Sequence, residues 1–175
     1  MTPAELICEF VNTADLEDGT DELADARGLR DWLARHRLAR PRDRASAAEA
    51  AEARALRDAL RELLRSHNGA KVDAAPAVAT LARVADVTGL RIDFASGSPI
   101  RFVPARDGVA GGLGRVVAAV GEAMGDGSWP RLKACRADSC RWAFVDTARN
   151  HSRRWCDMNV CGNRAKARRY RSRRA

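Results

Sequence analysis

Residues 131–175 read RLKACRADSCRWAFVDTARNHSRRWCDMNVCGNRAKARRYRSRRA, and Cys135, Cys140, Cys156 and Cys161 divide them as C-x4-C-x15-C-x4-C. Their apolar residues are few, namely Leu132, Trp142, Phe144, Val145, Trp155, Met158, Val160 and Tyr170. A segment of about 45 residues is near the size below which a chain needs a metal, disulfides or a partner to fold. Two cysteine pairs across a longer loop let each pair sit on a tight turn, with four thiolates converging on one ion at about 2.3 Å. Gly162, directly after Cys161, offers a backbone able to turn sharply and aim an N–H at sulfur, whereas Arg141 after Cys140 does not. Two disulfides, or a site in which His151 replaces one cysteine, are the alternatives. The odd total of five cysteines and an expected intracellular setting speak against disulfides. Cys8 falls on the apolar face of a helix and is read as a buried small residue outside the site. Four thiolates leave no open coordination position, and neither H-E-x-x-H nor the deaminase signature H-x-E with P-C-x-x-C occurs, so the expected cofactor is one structural Zn2+.

Charge is distributed as unevenly as cysteine. From Arg131 to Ala175 there are 14 Arg or Lys against Asp138, Asp146 and Asp157, a net of +11, whereas the preceding 130 residues carry 17 against 20, a net of −3. The preference for Arg over Lys fits a genome-wide bias, but such a bias acts on both parts alike and does not explain the clustering. Concentrated positive charge is the footprint of a protein that contacts phosphates. No stretch approaches the roughly 18 apolar residues of a membrane span, and Met1 to Phe10 lacks a basic start followed by an apolar run. The expectation is a soluble cytoplasmic protein with no membrane partner.

Upstream of the cysteines, helical spacing appears at Leu6, Ile7, Phe10 and Val11, then at Leu29, Trp32 and Leu33. Ser46 and Glu49 have capping-box spacing before a helix with Leu56, Leu60, Leu63 and Leu64 on one stripe, closed by Asn68 and Gly69. Ala75 to Val87 predicts a helix with Val78, Leu81, Ala82 and Ala85 inward, and Gly111 to Met124 another through Leu113, Val116, Val117 and Val120. Between these two, Leu90, Ile92 and Phe94 alternate with polar residues, Ser96 to Pro99 is turn chemistry, and Ile100, Phe102 and Val103 resume an extended pattern, predicting a β-hairpin. Gly125 to Pro130 marks the boundary between a helical body, 1–128, and the zinc-binding part, 129–175, with Trp129 packing one against the other. The fold class is mainly α (α+β), ending in a small treble-clef-like finger and a basic helix.

The finger resembles the CGNR zinc-finger family. The matching residues are Cys135 and Cys140, then Phe144, Asp146 and Asn150, then Ser152-Arg153-Arg154-Trp155-Cys156, Met158, and Cys161-Gly162-Asn163-Arg164 with Lys166. Phe10-Val11-Asn12-Thr13 and Leu29, Trp32 and Leu33 are similar to the helical ABATE domain that precedes such fingers. The resemblance implies a stress-response transcription regulator with a zinc-dependent DNA-binding module behind a domain that senses a signal.

Residues from Asn159 or Asn163 to Arg173 read as a helix, with either Asn as its cap. Arg164, Arg168 and Arg171 share a stripe, and Asn163, Ala167 and Tyr170 make the one stripe able to pack. The candidate nucleic-acid contacts are Arg153, Arg154, Arg164, Lys166, Arg168, Arg169, Arg171 and Arg173, with duplex DNA favoured over RNA as partner. Trp142, Phe144 and Trp155 offer stacking to a single strand in the RNA reading and a small core around zinc in the other. Asp146 and Asn150 are expected to stabilise the turn that follows a strand. Asn12, Thr13, Trp32 and His36 form a candidate ligand pocket, with helix capping and core as the plainer alternative, and they would carry any small-molecule or enzymatic role. No catalytic residue is recognisable, His67 reads as an ordinary helix-end residue, and a homodimer is compatible with the short site one module covers.

Overall fold

Helix ends follow local signals in the computed structural model, which describes residues 1–94 and 100–172. In α1 (Pro3–Val11), Thr2 Oγ1 accepts the Glu5 amide and the Glu5 carboxylate accepts the Thr2 amide. Ser46 and Glu49 repeat this reciprocal cap at α3 (Ala47–His67). That helix closes at Asn68, and Gly69 follows in the left-handed region (φ +81°), where a Cβ would also come within 2.5 Å of Arg136 Nη2. α2 (Ala26–Arg35) begins at Asp25, whose carboxylate accepts the Gly28 amide, upstream of the start that its apolar spacing marks. α4 (Ala75–Thr88) ends at left-handed Gly89, and α5 (Gly108–Gly125) extends past the predicted stretch at both ends.

The predicted stripes of α1, α2, α3 and α5 all point inward, merging Ile7, Phe10, Trp32, Leu33, Leu56, Leu60, Leu113 and Val116 into one core. α4 is rotated from its predicted face. Ala77, Val84 and Thr88 are buried, Leu81 and Ala85 half-buried, and Val78 and Ala82 exposed. A helix apolar on nearly all sides leaves its inward face to be chosen by neighbours, here α3 and α5. The predicted hairpin is present as β3 (Arg91–Asp93) and β4 (Arg101–Val103), antiparallel with Ile92 opposite Phe102; its expected turn, Ser96 to Pro99, lies outside the described residues. The Phe102 ring lies on α5, where a Cβ at Gly121 would approach it to 2.8 Å.

A short hairpin not anticipated from sequence, β1 (Ala14–Asp15) with β2 (Thr20–Asp21), is held from below by α3. Arg54 donates to the Leu23 and Ala24 carbonyls, Arg57 to Asp21, and Arg61 to the Val11 and Ala14 carbonyls at 2.7 and 3.0 Å. Arg57 and Arg61 are buried within a helix whose leucines alone form the visible apolar stripe. Arg61 supplies a donor to the last carbonyl of α1, Val11, and one to Ala14 at the start of β1.

The chain leaves α5 through a 3-10 turn (Trp129–Arg131) into β5 (Leu132–Ala134), which pairs with β6 (Ala143–Val145). Leu132, Ala134 and Ala143 belong to the same buried cluster as Phe10 and Leu64. β5 packs on α3 and β6 on α1, so packing continues across the sequence boundary at 128/129. Trp129 sits at the seam as expected, its ring edge-on to His67 with centroids 4.9 Å apart. No helix among the described residues is long and apolar enough to cross a membrane.

Arg61→Ala would strand two buried carbonyls and is expected to lower stability by about 2–3 kcal/mol. Urea denaturation of the zinc-loaded chain should show a lower midpoint with an unchanged slope.

Candidate metal centre

Each pair of cysteines is placed by a different piece of local structure. Cys135 directly follows β5 and continues its ladder by donating to the Trp142 carbonyl at 2.9 Å. Cys140 lies in a turn where its own amide and that of Arg141 both donate to the Ala137 carbonyl. Cys156 precedes, and Cys161 lies within, a π-helical turn (Met158–Gly162) that opens α6 (Asn163–Ser172). A hairpin and a helix thus supply two thiols each, the treble-clef-like arrangement expected.

The four sulfurs lie within 4.8 Å of one another, with Cys140 Sγ 3.6 Å from Cys156 Sγ and the latter 3.8 Å from Cys161 Sγ. A tetrahedron with arms of about 2.3 Å has edges of about 3.8 Å, and a disulfide requires about 2.05 Å. The donor set therefore fits one zinc ion and not two disulfides. Burial first, and the neighbouring thiols second, push the Cys156 thiol upward and that of Cys161 up to about 12. Thiolates so crowded need a dication to coexist, and metal uptake displaces their protons. His151 is exposed and lies outside the cluster. Cys8 is half-buried on α1, its thiol pushed up to about 12 by burial and then by Glu9 and Glu5.

The turn chemistry differs from the sequence expectation in an instructive way. Gly162 is helical and donates its amide to the Asp157 carbonyl, and what its missing Cβ avoids is Met158 Sδ, at 2.5 Å. The left-handed residue is Arg141, at φ 50°. Neither Asn159 nor Asn163 caps the helix. Asp157 does, its carboxylate accepting the Asn159 and Val160 amides at 2.6 and 3.1 Å. The carboxylate is the stronger acceptor at a helix start, since it adds charge to hydrogen bonding.

Behind the thiols lies a buried ion pair. Lys133 Nζ is 2.7 Å from Asp146 Oδ2 and 2.6 Å from the His151 carbonyl, and Asp146 also accepts the Ala148 and Arg153 amides. Burial alone would raise the Asp146 carboxyl, but the Lys133 hydrogen bond and the two amides outweigh it and hold the group below the ordinary carboxylate range. Asp146 thus performs the expected turn-stabilising role, while Asn150 accepts only the Ser152 hydroxyl. Arg153 places its guanidinium 5.1 Å from the Phe144 ring centroid and donates to the Cys156 carbonyl, and Trp155 packs against the cysteines.

The body grips this finger through side chains on backbone. Asn12 donates to the Ala143 carbonyl at 3.0 Å and accepts the Ala143 amide at 2.7 Å. Asn68 Nδ2 donates to the Ala134 and Arg154 carbonyls, and the Asn68 carbonyl accepts from Arg136 Nε at 2.6 Å. His67 Nδ1 sits 2.8 Å from the Leu132 carbonyl and is therefore its protonated nitrogen, while burial pushes the ring's pKa down. The contacts of the candidate pocket residues are those of the plainer alternative, helix capping and core. Asn12 clamps β6, the Thr13 hydroxyl donates to the Phe10 carbonyl, Trp32 is in the core against Phe10, and His36 lies against Trp32 and beside Glu9.

Of the candidate nucleic-acid contacts, Arg164, Lys166, Arg168, Arg169 and Arg171 lie on α6, exposed, and Arg173 is outside the described residues. The expected packing stripe of Asn163, Ala167 and Tyr170 is exposed as well; Ala165 alone is half-buried. Arg164 forms an ion pair with Glu17 at the tip of the β1–β2 hairpin. Arg154 is exposed, whereas Arg153 is half-buried and engaged as above. The clamp residues Asn68, His67, Lys133 and Arg136 drew no functional reading from the sequence.

Two family models match the chain. One, described as "CGNR zinc finger", covers residues 131–174, and the other, ABATE, described as "Putative stress-induced transcription regulator", covers residues 4–126. No curated protein matches it. The finger match and the four converging thiols agree on one structural zinc.

Removing one member of the buried pair leaves the other charge without its counter-ion. Lys133→Ala is expected to cost about 3–5 kcal/mol, and Lys133→Met combined with Asp146→Leu distinctly less, when midpoints are compared by urea denaturation at fixed zinc.

Proposed function

Because the chain belongs to the ABATE family and carries a CGNR finger behind that domain, we propose that it is a transcription regulator that binds duplex DNA. In this reading one structural zinc, held by Cys135, Cys140, Cys156 and Cys161, fixes a basic helix for docking in or across a major groove. The observation that carries it is α6 itself, which has five basic residues and no acid and buries no residue. A helix that contributes nothing to a core and repels itself is stabilised when phosphates neutralise it. Its anchored end is the zinc site, so the metal orients the helix while the cations make contact.

Arg164, Lys166, Arg168, Arg169 and Arg171 are the contacts on the helix, with Arg173 following and Arg154 beside the zinc loop. Arg153 acts chiefly within the finger. The 1–128 body is the part in which a signal is read, and the clamps at Asn12 and Asn68 give a change there a direct route to the finger. Neither family description is enzymatic. A single-strand or RNA reading draws support from Trp142, which is exposed, but Phe144 is buried and Trp155 packs on the cysteines, leaving one ring where a stacking platform uses several.

If about six phosphates are neutralised, affinity for duplex DNA falls on the order of a thousandfold between 50 and 200 mM salt. Fluorescence anisotropy with zinc-loaded protein measures this, and an affinity independent of salt would contradict the reading. Replacing both Arg168 and Arg171 by Ala is expected to lower the salt slope by about 2 without moving the thermal midpoint.

A further inference from the structure

The hairpin of β3 and β4 leaves apolar side chains uncovered. It is a two-stranded sheet, with β4 lying against α5 and β3 outermost, and among the described residues no strand pairs with the outer edge of β3. By the two-residue period of a strand, Leu90, Ile92 and Phe94 share one face with Phe102, which is the face turned to α5. Phe102 reaches the helix, but β3 overhangs it. Ile92 is 46% exposed, Phe94 86%, and Ile100 on the approach to β4 63%. A cavity of about 710 Å³ opens between Pro3, Ile100, Phe102, Gly121 and Gly125. Three large apolar side chains on one short hairpin exceed the scattered exposure normal for a soluble surface. A two-stranded sheet is marginal unless more strands join it or its apolar face is covered.

The sequence of the open edge says what covers it. β3 reads Arg91-Ile92-Asp93, and an antiparallel copy related by a two-fold axis through Ile92 sets Arg91 opposite the second copy's Asp93, and Asp93 opposite its Arg91. The same register sets Ile92 against Ile92, and Leu90 against Phe94 of the second copy. Opposite charges meet twice on one face and apolar side chains meet on the other. Charged residues on an edge strand ordinarily prevent pairing with other strands, but this pair is complementary to itself, so it repels most foreign edges while admitting its own. Asp93 faces Arg101 within its own hairpin, so the acid lies between two arginines in the pair.

We propose that this edge joins two copies of the chain into a homodimer with a continuous four-stranded sheet, β4–β3–β3–β4, lying over both α5 helices. The overhanging Ile92 and Phe94 then lie in the middle of the sheet and are covered by the second copy. The proposal does not depend on DNA binding. A two-fold axis here would present two basic helices, as a regulator reading two half-sites requires.

The test is analytical ultracentrifugation of the full zinc-loaded chain over a concentration series. The wild type is expected to dimerise. Arg91→Asp and Asp93→Arg each place like charges opposite one another and are expected to give monomers. The triple variant R91D/D93R/R101D restores opposite charges both across the pair and between residues 93 and 101 of each hairpin, and is expected to dimerise again, which also shows that the single changes did not act by unfolding the hairpin. Mixing the two single variants is expected to yield a heterodimer, because each then faces the opposite charge. A monomeric wild type, singles that remain dimeric, or a triple variant that stays monomeric would each overturn the proposal.

Discussion

The finger cannot bury enough apolar surface to fold alone, and this shortage dictates how the rest of the molecule is arranged. Zinc supplies one end of the solution by tying a hairpin to a helix through four thiols. The body supplies the other. Leu132, Ala134 and Ala143 point into the core built by α1, α3 and α5, while Asn12 and Asn68 provide hydrogen bonds that strand edges and loop carbonyls lack. Asn12 satisfies both polar groups of Ala143 and so acts on β6 as a neighbouring strand would. The metal and the body each complete what the other leaves open, and the finger is a joint product of both.

How much of this was legible in the sequence depends on how far apart the interacting residues stand. The capping box at Ser46 acts over three residues, and the cysteine frame over five to sixteen, so both could be read directly. Asn12 and Ala143 are 131 residues apart, and Asn68 and Ala134 are 66 apart; nothing near either asparagine announces its partner. Asn12 is legible as a polar residue ending an apolar helix, which fits either a cap or a pocket wall, and nothing nearby announces the strand whose Ala143 it holds. Arg57 and Arg61 were illegible for a related reason, since leucines already accounted for the stripe of α3 and their acceptors, Asp21, Val11 and Ala14, lie 36 to 50 residues away. At the zinc turns, glycine marked a left-handed residue that is in fact Arg141, which a hydrogen-bonded turn on Ala137 holds in place.

Charge separation gives the molecule its second organising feature. In the body, α3 uses Arg57 and Arg61 inward, on Asp21 and on backbone carbonyls, while α6 turns its cations to solvent with no acid beside them on the helix. Arg164 of α6 pairs with Glu17 of the body, and the β1–β2 hairpin that bears Glu17 is itself held by Arg54, Arg57 and Arg61. Zinc, body and basic helix are therefore linked by a short series of contacts, each made by a named side chain.

Hydrogen–deuterium exchange on the full chain, with zinc bound and after its removal by a chelator, tests most directly whether finger and body are one cooperative structure. Loss of protection in the last turn of α1 near Asn12 and of α3 near Asn68, in step with β5 and β6, is the predicted result. Exchange that rises only beyond residue 128, with both helix ends as protected as before, would show that the finger is an independent appendage and would contradict the account.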